Sequence, residues 1–303
     1  MAIGDLVQLA RPRHWVKNVV VLLPVVFGMR MADASAWAWA GTAAVAFCLA
    51  ASFSYIVNDL RDCESDRSHP YKKNRPLVSG RVPPRVAAVE AGVFLTLSIG
   101  VACVVSPLVT AILAAYIVLQ MCYTWLLKDK VLLDVICIAI GFVLRASAGA
   151  VAIRVAISPW LFICMFTICL FMGFCKRYNE LVTIGDRADA GNHRQTLMTY
   201  TPDLLTHLIT LSAGIAVVAF LFYGLTESTV RQFGTHYFVY TLPLVVYAVF
   251  RFAMLSMKGC YADPTDLILR DRPFQITAAL WMASAVGIIV WGPRVAGWMD
   301  RLY

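Results

Sequence analysis

The sequence predicts an all-α protein, a polytopic membrane bundle of about nine transmembrane helices. Hydrophobic residues fill 60% of the 303 positions and charged residues only 15%, against roughly a quarter charged in an ordinary soluble domain. The apolar residues gather into runs of about 20, the length that crosses a bilayer. Lys and Arg crowd into alternate loops.

Along the chain the spans fall at 14–31, 37–57, 84–106, 108–126, 131–152, 158–176, 204–226, 235–257 and 273–293. The first opens on Arg11-Pro-Arg-His-Trp and lacks a small-residue cleavage site, so it reads as a span and not as a cleaved signal. Val104–Pro107 barely turns the chain between the third and fourth spans, and Ile153–Pro159 is little longer. Trp15, Trp37, Trp125, Trp160 and Trp291 lie near span ends, as an interfacial belt requires. The expected organisation is one catalytic membrane domain over 1–303 without a soluble appendage. It has long charged loops at 58–83, 176–203 and 258–272.

With the N-terminus inside, the inner loops hold twenty Lys and Arg, the outer loops five, and Arg145 lies within a span. That bias predicts an N-in, C-out orientation. The net charge of +8 is then mostly topological, which excludes nucleic acid as the reason for it. Anionic lipid heads or a phosphorylated substrate remain as partners. Most of the nine cysteines sit in apolar spans as small hydrophobes, and none shows metal or redox spacing. The five histidines are scattered, without zinc or hydrolase patterns.

The chemistry centres on Asn58-Asp59-Leu60-Arg61-Asp62-Cys63-Glu64-Ser65-Asp66. Asp59, Asp62 and Asp66, spaced i, i+3, i+7, stack on one face of a helix continuing from the second span. Three uncompensated carboxylates repel one another unless a cation sits among them. Oxygen ligands of this kind suit Mg²⁺, which binds through a few carboxylates plus substrate phosphates, and Asn58 adds a neutral oxygen. The competing reading is a solvated helix end paired with Arg61 and Arg67. The basic run His69-Pro-Tyr-Lys72-Lys73-Asn74-Arg75 beside it favours a diphosphate cradle, metal on one side and cations on the other.

The loop at 176–203 opens on Lys176-Arg177-Tyr178-Asn179-Glu180, with Asp186 and Asp189 beyond; it suits a second phosphate or a second metal. Asn58-Asp59 and Asn179-Glu180 open two loops four spans apart, a hint of two four-helix halves. In the third loop Asp263, Asp266, Arg270, Asp271 and Arg272 read by default as plain loop charge. Arg145 lies at membrane depth and must face the bundle interior or a wet cavity. Pairing with Asp134 is difficult across 11 residues, and its role stays open.

N-D-x-x-D-x-x-x-D after the second span resembles the UbiA superfamily of intramembrane prenyltransferases, as does Gly-Phe-Val-Leu-Arg-Ala-Ser-Ala-Gly-Ala around Arg145. The resemblance covers nearly the whole chain. It implies a helical membrane fold that binds a diphosphate through Mg²⁺ at its cytoplasmic mouth. Arg11-Pro-Arg-His-Trp-Val-Lys17-Asn18, Arg75-Pro, Lys176-Arg177-Tyr178-x-Glu180 and Leu269-Arg270-Asp271-Arg272 are similar to one branch. Its members transfer the phosphoribosyl group of 5-phosphoribosyl 1-diphosphate to polyprenyl (decaprenyl) phosphate, toward cell-wall arabinan precursors. The family's usual second D-x-x-x-D motif is absent; Lys-Arg-Tyr-Asn-Glu stands in its place, which favours the phosphoribosyl donor.

The resemblance implies Mg²⁺ on Asn58, Asp59, Asp62 and Asp66, and chemistry carried by Asp59, Asp62, Asp66, Lys17 and Glu180. Substrate contacts fall to Arg13, Lys17, Asn18, Asn58, Lys72, Lys73, Arg75, Arg145, Lys176, Arg177, Tyr178, Arg270 and Arg272. It further implies a multi-pass protein of a bacterial inner membrane, N-terminus and site on the cytoplasmic side, with self-association left open. The alternative enzyme is a Mg²⁺-dependent prenyltransferase with an aromatic acceptor. A lipid transporter is disfavoured because the acids cluster at the inner face and not at midplane.

Overall fold

Helix α3 (Ala34–Arg61) is the backbone of the first half of the chain. Asp33 starts it, accepting hydrogen bonds from the Ser35 and Ala36 amides. One face carries Ala36, Ala40, Ala43, Phe47 and Ala50, all buried. α5 (Pro84–Val105) answers with Ala87, Ala91, Ser98 and Ala102. Small residues let membrane helices approach closely, and van der Waals packing rather than water exclusion holds them. The opposite face of α5 presents Val89, Val93 and Leu97, which are exposed; in a lipid solvent such a face has no penalty.

The structure, a computed structural model, describes residues 2–67, 72–184, 195–261 and 264–299, and among these there is no strand. Preceding α3 are α1 (Ile3–Ala10) and α2 (Leu23–Phe27); α4 (Cys63–Arg67) follows it. After α5 come α6 (Pro107–Cys122), which ends in a π turn over Tyr123–Leu127, α7 (Leu133–Ala152) and α8 (Pro159–Ile184). The remainder is α9 (Gln195–Thr199), α10 (Pro202–Leu225), α11 (Glu227–Phe233), α12 (Leu242–Met257), α13 (Pro264–Arg270) and α14 (Arg272–Met299). The chain forms two compact units, 1–127 with 143–156 and 128–142 with 157–303, so α7 contributes to both.

Among the described residues eight helices are long and apolar enough to cross a membrane, not nine. The difference lies at 14–31. That stretch is a 3₁₀-helix over Pro12–Leu22 followed by the single α turn of α2. A 3₁₀-helix repeats every three residues, and burial follows that period. Arg13, Val16 and Val19 are exposed, whereas Asn18 and Val21 are buried in line with Trp15. The inner stripe runs antiparallel to α3: Trp15 Nε1 donates to Ser52 Oγ at 3.0 Å, and Asn18 Nδ2 to Cys48 Sγ at 3.3 Å. Farther along, Val21 meets Gly149, where an added Cβ would stand 1.9 Å from the Val21 carbonyl oxygen. At about 2.0 Å rise per 3₁₀ residue and 1.5 Å per α residue, Pro12–Phe27 still reaches about 30 Å, a bilayer core. The segment is long enough to cross, in a geometry that apolar-run counting takes for an α-helix.

In the second unit α8 packs along α10, and Val135, Phe171, Phe174, Leu205, Ile209 and Phe252 form its apolar core. Gly173 is placed where a Cβ would meet Val135 Cγ1 at 2.4 Å. Arg251 on α12 is tied to Asp271, at 2.6 Å from Nε and 2.9 Å from Nη2. Asp271 also accepts from the Phe274 amide at 2.8 Å, capping α14. It is buried and is a structural anchor, not the plain loop charge expected. The Arg251 hydrogen bonds, helped by that amide, hold its carboxyl below the usual carboxylate range. A depressed folded value contributes stability that is complete above the unfolded pKa of about 3.9 and is lost as pH falls through the lower folded one. Arg251→Met should therefore lose stability at neutral pH and flatten the acid limb. Melting temperature followed from pH 7 to 3 checks this, and an unchanged limb would refute it.

Candidate active site

Two acids of the predicted run come together at the end of α3. Arg75 Nη1 donates to Asp59 Oδ1 at 2.9 Å and to Asp66 Oδ2 at 2.6 Å. Arg11 Nη2 spans both Asp59 oxygens at 2.5 and 2.7 Å. The carboxylates are 1% and 2% exposed, a burial that charge tolerates only with close partners. Helical bonds continue through the junction, from the Asp62 amide to Asn58 O and from the Asp66 amide to Asp62 O. This keeps Asp59 and Asp66 on one face, two turns apart. Asp62 takes a hydrogen bond from Asn58 Nδ2 at 3.1 Å.

Residues 74–81 are fixed to α1. Arg81 donates to Asp5 Oδ1 at 2.7 Å, to Gln8 Oε1 at 3.3 Å and to the Asn74 carbonyl at 2.8 Å. That clasp places Arg75 over the acids, while Lys73 is exposed. His69, Asp186, Asp189, Asp263 and the Lys72 side chain lie outside the described residues. Arg61, between the acids in sequence, turns away to lie 5.4 Å over the Trp125 ring, and among the described residues its buried Nη1 has no hydrogen-bond partner.

A second polar group of the first unit sits at membrane depth. Arg145 Nε donates to Asn18 Oδ1 and Arg145 Nη2 to Tyr116 Oη, each at 2.7 Å. Gln120 Nε2 also donates to Tyr116 Oη, at 2.8 Å. Arg145, Asn18 and Tyr116 are all buried. Two predicted substrate contacts, Asn18 and Arg145, thus meet each other, with Tyr116 as a member that sequence reading missed. Arg13 lies on the exposed stripe of the 3₁₀-helix, and Lys17 is half-buried.

In the second unit Arg177 is 2% exposed. Its Nε donates to Asp134 Oδ2 at 2.8 Å, and its Nη1 pairs with Glu180. Tyr200 Oη donates to Asp134 Oδ1 at 3.0 Å and accepts from the Leu132 amide at 2.8 Å. Asn179 donates to the Tyr261 carbonyl, unlike Asn58, so the two Asn-acid pairs are not equivalent in structure. Lys176 and Tyr178 flank Arg177 half-buried, whereas Arg270 and Arg272 are exposed, Arg270 lying 4.0 Å from Asp266. Asp134, which fixes Arg177, and Tyr200, which bonds Asp134, carry no sequence signal beyond a carboxylate beside an apolar run.

Residues 21–265 match the UbiA prenyltransferase family. The chain belongs to that family. It is 33% identical over 293 residues to a decaprenyl-phosphate phosphoribosyltransferase from Mycolicibacterium smegmatis, across 93% of this chain and 91% of the relative. A protein of the same name from Corynebacterium glutamicum is 33% identical over 291 residues, across 93% and 85%. A UbiA homologue from Archaeoglobus fulgidus, solved with GPP and Mg²⁺, superposes with a TM-score of 0.72 at 19% identity, covering 94% of this chain and 99% of that one. The all-helical UbiA fold and the multi-pass membrane character are therefore established.

A divalent metal at the end of α3 would need hard oxygen donors. Among the described residues no three acidic, His or Cys side chains converge as a ligand group. Asp59 and Asp66 do converge on a single cationic nitrogen of Arg75. Every donor there is oxygen, and Mg²⁺ commonly takes only one or two carboxylates besides substrate phosphates. The pair fits a hard divalent cation.

Proposed function

We propose that this UbiA-family protein transfers the 5-phosphoribosyl group of 5-phosphoribosyl 1-diphosphate to a polyprenyl phosphate, releasing diphosphate. The observation that carries the reading is similarity over 93% of the chain to enzymes named for that reaction. The buried acids capped by guanidiniums support it chemically, because a diphosphate leaving group needs positive charge, which carboxylates supply by holding a divalent cation and guanidiniums supply directly.

Asp59 and Asp66, with Asp62 and Asn58 beside them, hold the metal, which is Mg²⁺. When bound it neutralises charge on the departing diphosphate. Arg75 and Lys73 contact the donor's phosphates, and Lys72, their neighbour in sequence, is assigned with them. The C1–O bond of the ribose breaks with its electron pair leaving on diphosphate, while a lipid phosphate oxygen forms the new bond to C1. A phosphate monoester is already anionic at neutral pH, so the attack needs no strong base, and rate comes from positioning and charge stabilisation. Lys17, Arg13, Asn18 and Arg145 are assigned to the phosphate-bearing substrates. In the second unit Lys176, Tyr178, Arg270 and Arg272 are assigned to substrate and Glu180 to the chemistry, while Arg177 acts by holding its helix end. All lie in one catalytic domain with its loops in the cytoplasm of a bacterial cell, supported by the twenty-to-five bias of basic residues.

Purified protein given Mg²⁺, polyprenyl phosphate and donor labelled in the ribose should yield a labelled, chloroform-soluble lipid and one diphosphate per lipid. Absence of that lipid, with turnover of a prenyl diphosphate on an aromatic acceptor instead, would overturn the assignment in favour of prenyl transfer.

A further inference from the structure

Arg11 is held against Asp59 from outside the acidic run, 48 residues away in sequence. It adopts a left-handed backbone, φ 53 and ψ 57, between α1 and the 3₁₀-helix. A residue with a Cβ is strained in that region, and such strain persists where surrounding contacts over-determine it. The contacts here are Asp59 and the face of Tyr55, 5.2 Å from the guanidinium carbon. Arg75 makes the complementary bridge, so two carboxylates are matched by two guanidiniums. The cations form the open half of the cluster: the Arg11 and Arg75 side chains are 21% and 25% exposed, against 2% and 3% for Asp59 and Asp66. Either arginine can swing toward solvent without unpacking the acids.

Resting on the reading just given, we propose that Arg11 and Arg75 are resident counter-ions of Asp59 and Asp66. They give up the carboxylates to the divalent cation and transfer their own hydrogen bonds to the incoming diphosphate. Arg11 is thereby a positioning residue for Asp59 and a further diphosphate contact. The electrostatics dictate the coupling. A dication arriving alone meets a cluster already neutralised, and must displace or stand beside two positive groups. A diphosphate arriving alone meets guanidiniums already engaged. Arriving together, each ligand removes the other's obstacle: the metal releases the guanidiniums, and the diphosphate's negative charge receives them in the bidentate geometry that arginine favours. Binding of the two is therefore cooperative, and the cooperativity is reciprocal.

The test uses the full-length protein in detergent, with Mn²⁺ as the metal probe and inorganic pyrophosphate as the anion probe. Mn²⁺ affinity without anion is read from loss of the free-ion EPR signal. Labelled pyrophosphate affinity is read by equilibrium dialysis at saturating Mn²⁺. Arg11→Met is the principal variant because Asp59 keeps Arg75 and the acids stay covered; Arg75→Gln is the second, removing the charge while leaving an amide donor beside both carboxylates. The expected shifts have opposite signs: Mn²⁺ alone binds about five- to tenfold tighter, and pyrophosphate about tenfold weaker. A purely structural arginine would weaken both together, so parallel losses, or no change in Mn²⁺ affinity, overturn the inference. Should Arg11→Met not fold, as judged by melting temperature, Arg75→Gln decides alone by the same signs. Opposite shifts without phosphoribosyl transfer would leave this inference standing and remove the substrate assignment; transfer with parallel shifts would do the reverse.

Discussion

Asp59→Asn is expected to lower phosphoribosyl transfer by about 10²–10³-fold or more, the loss seen when one preorganised electrostatic group is removed from a charged transition state. The substitution is nearly isosteric, so packing at the end of α3 is kept. What goes is the charge on which Arg11 and Arg75 both converge. Those arginines are partly exposed and regain water, and Arg75 keeps Asp66. The fold should therefore survive, with a modest drop in melting temperature. Measuring kcat/KM with labelled donor alongside a thermal melt separates the two effects. Turnover near the native rate in a folded Asp59→Asn protein would remove Asp59 from the diphosphate site.

The second large effect is on stability and lies in the other unit. Arg177→Met strands Asp134, which is 0% exposed, without its guanidinium. Breaking a buried pair from one side costs about 3–5 kcal/mol, because the remaining charge cannot reach water. Glu180, the other partner of Arg177, is 27% exposed and can hydrate, so the loss should trace to Asp134. Adding Asp134→Asn to Arg177→Met should recover most of the stability, since Asn still accepts from Tyr200. A melt of the double variant no higher than that of Arg177→Met alone would show that the pair is not the source.

Much of the fold was legible because lipid imposes two demands that sequence records directly, length and hydrophobicity. Eight of nine expected spans are long helices for that reason. The exception is instructive. Val16, Val19 and Val21 make 14–31 look like any apolar run, but whether such a run winds at 3.6 or 3.0 residues per turn depends on its contacts with Ser52, Cys48 and Gly149, and hydropathy averages ignore them. The acidic run was legible for a different reason: like charges at helical spacing are improbable without a cation. Spacing did not reveal which cation answers them. Arg11 is 48 residues from Asp59, and only tertiary structure brings a partner from that distance. Arg177 misled in the opposite direction. Beside Lys176 it reads as loop charge for a phosphate, yet its helix phase turns it toward Asp134.

The 3₁₀ segment at the start of the first unit acts as a ruler. Each residue in Pro12–Leu22 advances the chain by about 2 Å and rotates it by a third of a turn. Losing or gaining one residue between Arg11 and Asn18 would thus disengage the two ends at once. Either Arg11 leaves Asp59 or Asn18 leaves Arg145, and no side-chain rotation restores both. The segment can drift in sequence along its exposed stripe, where Arg13, Val16 and Val19 lie, yet its residue count is fixed by the two clusters it spans. Related proteins that share both clusters should vary in the letters of this stretch and agree on their number.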